Sequence, residues 1–236
     1  MVELSIIVPA YNEENRIKPF LNSLLAFCEE KLSDYEILVV NDGSTDGTLA
    51  LLEKNFGSLK QFRVVSYTSN RGKGHAVKKG VLSAKGSQIL FIDADGSIKP
   101  DQIPHFLSAL QEFDVAVGDR SSEKSTVVQH PLRKLTGIAF NTYVRLLFQS
   151  HVTDNLCGVK AFKKNVAEDL FSHLYSERWV FDVELFYLIK KRGYTLKRLP
   201  LVWEHKEDSK IRLFDPLKMA LTLFVLRLRL LFRGKV

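Results

Sequence analysis

Up to residue 120 the chain alternates short apolar runs with longer stretches of helical period. The runs are 4–8, 36–40, 64–66, 88–92 and 115–117, and helices are predicted between them over 17–32, 48–55, 74–84 and 102–110. Short runs that are apolar throughout suit strands covered on both faces, and a helix between successive strands is the crossover that a parallel pair requires. The order therefore predicts an α/β fold, a mostly parallel sheet flanked by helices on both sides. Sheets of this kind bind ligands outside the carboxyl ends of their strands. Three loops fall at such ends: 9–13, 41–46 and 93–97.

The fourth run ends in two carboxylates, Ile89-Leu-Phe-Ile-Asp-Ala-Asp-Gly96. If the strand continues through them, alternation turns Asp93 and Asp95 the same way. Two hard oxygen ligands at a strand end suit Mg2+ or Mn2+, with coordination sites left for substrate phosphates. Such a string alone is equally the composition of a turn; its position beside two other ligand-edge loops favours the metal. The chain has neither a Walker lysine motif nor GxGxxG. Instead Asn70-Arg-Gly-Lys-Gly-His75 opens a helix as a flexible cationic loop, whose amides and Arg71 or Lys73 are placed to meet a diphosphate. A solvated basic turn is the alternative.

With 236 residues, 45% of them hydrophobic, the chain can bury a full core as one domain, alone or with an appendage. Two cysteines are too few for a disulfide scaffold and predict a reducing compartment. The chain starts on a strand-like segment, so no signal peptide is expected, and no stretch reaches the roughly 18 uncharged apolar residues of a bilayer span. A net charge of +7 suits an anionic partner. Nucleic acid is disfavoured, because aromatic residues do not interleave with a basic sheet face. Beyond 120 the rhythm stops. Residues 121–129 are polar and expected to be mobile, and 132–148 form an amphipathic helix with Arg133, Lys134 and Arg145. Residues 154–162 turn back into a strand, 177–184 lead into a helix ending near Arg192-Gly193, and 196–203 form a late strand. A charged loop, 204–210, precedes a leucine-rich helix over 215–233.

IIVPAYNEE at 6–14, VVNDGSTDGT at 39–48, NRGKGHAVKKG at 70–80 and ILFIDADG at 89–96 together resemble the family 2 glycosyltransferases of GT-A fold. Within them the chain is similar to the polyprenyl (dolichyl) phosphate sugar synthases. DNLCGVKAF at 154–162, ERWVFDVEL at 177–185 and the Ser209-Lys210 loop look closest to the dolichyl-phosphate glucosyltransferases, the mannosyltransferases less so. The resemblance implies a Rossmann-like GT-A catalytic domain over 1–210, with a nucleotide-binding half to 120 and an acceptor half beyond it. An amphipathic, membrane-associating helix then covers 211–236. Two departures stand out. Eukaryotic relatives carry an N-terminal anchor ahead of the segment where this chain begins, and many have aspartate in place of Asn41.

By the same resemblance Pro9, Tyr11 and Glu13 line the base and ribose pocket, with Val40 and Asp42 opposite. Arg71 and Lys73 approach the diphosphate. Asp95 and Asp93 hold the metal, and Ala94 contributes backbone beside the nucleotide. Asp182 orients an arginine or the donor sugar and Asp154 braces the cationic site, buried structural ion pairs being the alternative for both, and His205 and Lys210 lie in a loop that folds over the diphosphate. Trp179 is a core residue, and Asp46 a helix cap without a site role. Arg120 and Arg133 receive the acceptor phosphate. The implied reaction is metal-dependent, inverting transfer of glucose or mannose from UDP-glucose or GDP-mannose to a dolichyl or polyprenyl phosphate. It would take place on the cytoplasmic face of a membrane. A lipid monophosphate, with a second pKa of about 6, is already nucleophilic near neutrality, so its site needs cations rather than a base. Transfer to a glycan hydroxyl would need a base, and Asp182 is then the first candidate. A sugar nucleotidyltransferase, which releases pyrophosphate, is the alternative from another class.

Overall fold

Strand β1 (Leu4–Ala10) is buried along its length apart from half-buried Pro9. It pairs in parallel on both sides, with β2 (Tyr35–Asp42) and β4 (Gln88–Ile92). The computed structural model describes residues 2–128, 131–148, 154, 156–204 and 215–233. With β3 (Phe62–Tyr67), β5 (Val115–Asp119), β7 (Val159–Lys163) and β8 (Leu196–Pro200), the sheet runs β3-β2-β1-β4-β7-β5-β8. All of its strands are parallel except β7, which lies antiparallel between β4 and β5.

Helices cover both faces, as the apolar runs require. On one side α1 (Ile17–Lys31) turns Ile17, Phe20, Leu21, Leu24 and Cys28 inward at helical spacing, beside α2 (Thr48–Phe56) and α4 (Ile103–Ala109). On the other, α3 (Lys73–Ser83), α6 (Lys164–Ser172) and α7 (Phe181–Arg192) pack on Ile7, Val40, Phe91 and Phe162. A third cluster joins α7 to α5 (Pro131–Phe148) and α8 (Asp215–Arg233) through Val144, Phe148, Val183, Leu223 and Leu226. All five early strands and the four helices between them stand where alternation predicts.

Three expectations are corrected beyond residue 120. The strand expected over 196–203 breaks after Pro200, and β9 (Val202–Glu204) pairs with β6 (Thr126–Val128) in a separate two-stranded sheet. The segment expected to be mobile is therefore partly strand. Ser125 anchors it, its hydroxyl donating to the Asp119 carbonyl at 2.6 Å and accepting from the Leu201 amide at 2.9 Å. Helix α6 follows directly on β7, where only a strand was expected.

Candidate active site

The carboxyl ends of β1, β2, β4 and β5 meet at one edge with the start of β7. Asn12, the only non-glycine residue with positive φ (52°) among those described, turns the chain after β1. Its amide donates to Ser44 Oγ at 2.9 Å and its Oδ1 accepts from the Thr45 amide at 2.8 Å, while the Glu13 amide donates to Thr48 Oγ1. The first two ligand-edge loops are thus clasped together, with Pro9 and Tyr11 half-buried beside the clasp. Glu13 is engaged by Arg16, which donates to both its oxygens at 2.8 Å. Asp46 accepts from the Thr48 amide and hydroxyl at the start of α2, in keeping with a structural role.

The cationic loop differs from expectation. Asp42, 3% exposed, accepts from Tyr67 Oη, Asn70 Nδ2 and the amides of Arg71 and Gly72, each at 2.8 Å. A carboxylate has about four acceptor sites, so Asp42 is saturated within the chain. The two amides assigned to a diphosphate are spent on it, and the loop is pinned rather than flexible. Arg71 is paired as well, its Nη2 2.6 Å from Glu177 Oε1, which also meets His75 Nδ1 at 3.1 Å. Val40 and Ala94 are buried, 0% and 4% exposed.

Strand β4 ends at Ile92, and both aspartates lie in the turn that follows, closed by Gly96 at φ +70°. Strand alternation is therefore not what brings them together. Asp93 donates its amide to the Gly158 carbonyl at 3.0 Å, and a Cβ at Gly158 would displace the Asp93 carboxylate. Asp95 Oδ1 accepts from the Ser97 amide at 2.9 Å. Lys73 reaches Asp93 with Nζ 2.7 Å from Oδ1 and 2.9 Å from Oδ2. Burial pushes the Asp93 carboxyl above its ordinary value, and the negative charges of Asp95 and Asp182 add to this against the pull of Lys73. Burial would drive Lys73 neutral, but Asp93, Asp182 and Asp95 hold it charged, above its usual range.

Two further pairs frame this centre. Arg120 donates from Nε and Nη2 to Asp154 at 2.8 and 2.7 Å and from its amide at 2.9 Å, and its guanidinium lies 5.3 Å from the Trp203 ring centroid. Asp154 thus pairs with Arg120, a contact that fits both the bracing role and a structural ion pair, leaving Nη1 as the end of the fork that Asp154 does not engage. Burial opposes charge on both partners, yet their mutual contacts hold Arg120 above its ordinary range and Asp154 below its own. Among the described residues the partner of Asp182 is a lysine rather than an arginine: Asp182 is 2% exposed and paired at 2.8 Å with Lys160, itself 0% exposed. Lys160 escaped sequence reasoning, although a lone lysine inside the apolar run Val159-Lys-Ala-Phe162 was a visible signal for a buried partner. Glu177, inside the 177–185 motif, and Trp203, at the end of the expected late strand, were likewise given no role.

The side chain of Arg133, in the first turn of α5, lies outside the described residues, as do His205 and Lys210. A cavity of about 430 Å³ between α3 and residues 172–177 contains neither aspartate. Around the centre, Asp93, Asp95, Asp154 and Asp182 face Lys73, Arg120 and Lys160, four carboxylates against three cations. That excess of negative charge fits a divalent cation. Among the described residues no group of three or more metal-ligating side chains exists, so phosphate oxygens and water would complete its coordination.

The family model described as glycosyl transferase family 2 matches residues 5–171. The chain belongs to glycosyl transferase family 2. This family 2 chain is 36% identical to the dolichyl-phosphate beta-glucosyltransferase of Homo sapiens over 97% of its own length and 76% of that protein. It is 32% identical to the enzyme of the same name from Saccharomyces cerevisiae, over 95% of its own length and 74% of that protein. Its fold matches glucosyl-3-phosphoglycerate synthase from Mycobacterium tuberculosis, solved with Mn2+, UDP-glucose and phosphoglyceric acid. The TM-score is 0.71 at 20% identity, covering 96% of this chain and 79% of that one.

Proposed function

We propose that this family 2 glycosyltransferase moves glucose from UDP-glucose to a dolichyl or polyprenyl phosphate, inverting the anomeric centre to give a β-linked lipid phosphate sugar for glycosylation. The observation that carries the reading is the locked state of Asp182. A hydroxyl acceptor would need a base at this centre, and Asp182, its first candidate, is buried against Lys160. A phosphate acceptor needs cations instead, and Arg120 offers one, held on two sides by Asp154 and Trp203. Glucose is favoured over mannose by the dolichyl-phosphate beta-glucosyltransferase relatives, and UDP and Mn2+ by the synthase that shares the fold.

In the proposed step an oxygen of the lipid phosphate attacks the anomeric carbon from the face opposite UDP. A new C–O bond forms as the bond to the β-phosphate breaks, and UDP leaves with the electron pair. No proton moves, because the attacking phosphate is already ionised. Asp95, with Asp93, would hold Mn2+ or Mg2+, which would supply Lewis-acid stabilisation of the departing diphosphate, commonly worth several kcal/mol. Arg120 Nη1 orients the acceptor phosphate and offsets repulsion between the two anions, with Arg133 as a second candidate. The clasped loops at Tyr11–Glu13 and the Asp42-pinned loop bound the nucleotide.

The acceptor also argues for a membrane surface. No described helix is long and apolar enough to cross a bilayer. Yet α8 is apolar on two faces: Met219, Leu223, Leu226 and Leu230 pack inward, while Leu221, Phe224, Val225 and Leu228 are exposed. Ile138 and Leu146 are likewise exposed on α5. With exposed Arg145 and Arg229 nearby, this suits an interfacial seat on an anionic, cytoplasmic leaflet. Parallel incubations with Mn2+, dolichyl phosphate and either labelled UDP-glucose or labelled GDP-mannose test the donor. Transfer from UDP-glucose alone is expected, and equal transfer from GDP-mannose would refute the sugar assignment.

A further inference from the structure

Lys73 covers both oxygens of Asp93 that a metal would use. The contact is built rather than incidental. Lys73 is the first residue of α3, follows Gly72 at φ +105°, is 12% exposed, and lies with Nζ 5.9 Å from the Trp179 ring centroid. The Gly72 amide is fixed on Asp42, and the Asp93 backbone on Gly158. Asp95 makes no salt bridge among the described residues, which leaves it the one carboxylate of the pair open to a cation.

We propose that Lys73 is an exchangeable internal counter-ion, which occupies Asp93 while the donor is absent and passes to the donor's diphosphate when nucleotide and divalent metal arrive. The inference rests on the metal-dependent donor reading above and deepens it. An ammonium and a divalent ion repel each other on one carboxylate, so metal alone meets a site with only Asp95 available. Displacing the ammonium into a buried site without a partner is costly. A diphosphate removes that cost, because it supplies an anion for Lys73 and oxygen ligands for the metal together. Metal and nucleotide therefore each strengthen the other's binding, and the coupling is reciprocal. Premature loading of the site by metal alone is disfavoured by the same contact.

The test is direct Mn2+ binding, by electron paramagnetic resonance of the free ion, to the whole chain with and without UDP. An opposite charge at contact distance shifts a carboxylate's ionic equilibrium by 1–3 decades, so wild type should bind Mn2+ at least about tenfold more tightly when UDP is present. Lys73→Met should bind Mn2+ without UDP about tenfold more tightly than wild type, lose most of the gain from UDP, and bind UDP more weakly. Lys73→Arg, which keeps a cation, should retain weak UDP-free binding. Lys73→Met with wild-type Mn2+ affinity and an unchanged melting curve would overturn the exchange alone. So would a UDP effect below twofold in wild type, a result that needs no variant. Mn2+ that fails to bind even with UDP would overturn the metal-dependent donor reading and the exchange together.

Discussion

Removing Lys160 should destabilise the protein far more than an ordinary lysine substitution, and the excess should vanish when Asp182 is neutralised too. Lys160 Nζ contacts Asp182 Oδ1 and the Cys157 carbonyl at 2.8 Å, and lies 5.2 and 5.4 Å from the ring centroids of Phe91 and Phe186. Lys160→Met leaves a carboxylate 2% exposed without its paired cation, a loss of about 3–5 kcal/mol for a buried pair broken on one side. For a chain of this length each kcal/mol moves the melting temperature by roughly 2–4 °C, so a fall of about 6–20 °C is expected. Asp182→Asn strands the ammonium and should also destabilise. The double variant Lys160→Met/Asp182→Asn should be more stable than the sum of the singles by at least about 2 kcal/mol. Urea denaturation of all four proteins, followed by circular dichroism, measures this. Single effects that add within about 0.5 kcal/mol would refute the pairing, and with it the argument that Asp182 is unavailable as a base.

Asp154→Asn should cost about 2–3 kcal/mol, less than a fully buried pair because Arg120 remains 24% exposed, and should reduce transfer by loosening Arg120. Since Asp154 titrates below its ordinary value when folded, wild type should hold this advantage above about pH 4 and lose it as pH falls through the lowered folded value; denaturant melts at pH 3 and pH 7 check the sign. Asp95→Ala should bring UDP-glucose affinity in Mn2+ down to its metal-free level by calorimetry, and unchanged binding would mean the metal is misplaced. Leu221→Gln/Phe224→Gln/Leu228→Gln should weaken co-sedimentation with anionic vesicles at least about thirtyfold while sparing the melting temperature, because the three side chains are exposed on α8.

The first five strands were legible because each is an apolar run between helical periods, and their carboxyl ends located the loops that carry Tyr11, Asp42 and Asp93. The position of β7 was not legible: it depends on pairing with β4 and β5, 67 to 75 residues and 43 to 47 residues away at its ladder contacts, not on local pattern. Arg120 and Asp154 were both marked, and geometry joined them. For the loop after Ser69 the local sequence displayed basic residues and glycines, whereas its conformation is set by Asp42, the carboxylate that ends β2. Lys160 and Asp182 lie 22 residues apart on a strand and a helix, so neither could be matched without the fold.

The most direct test of the central claim is the chemical identity of the product. Labelled UDP-glucose, Mn2+ and dolichyl phosphate are incubated with the whole chain, the lipid phase is extracted, and the glucosyl linkage is read by nuclear magnetic resonance. The account predicts a β-glucosyl phosphate ester on the lipid with one UDP released per sugar transferred. Label that remains in water while reaching a soluble sugar hydroxyl, or release of pyrophosphate in place of UDP, would contradict it.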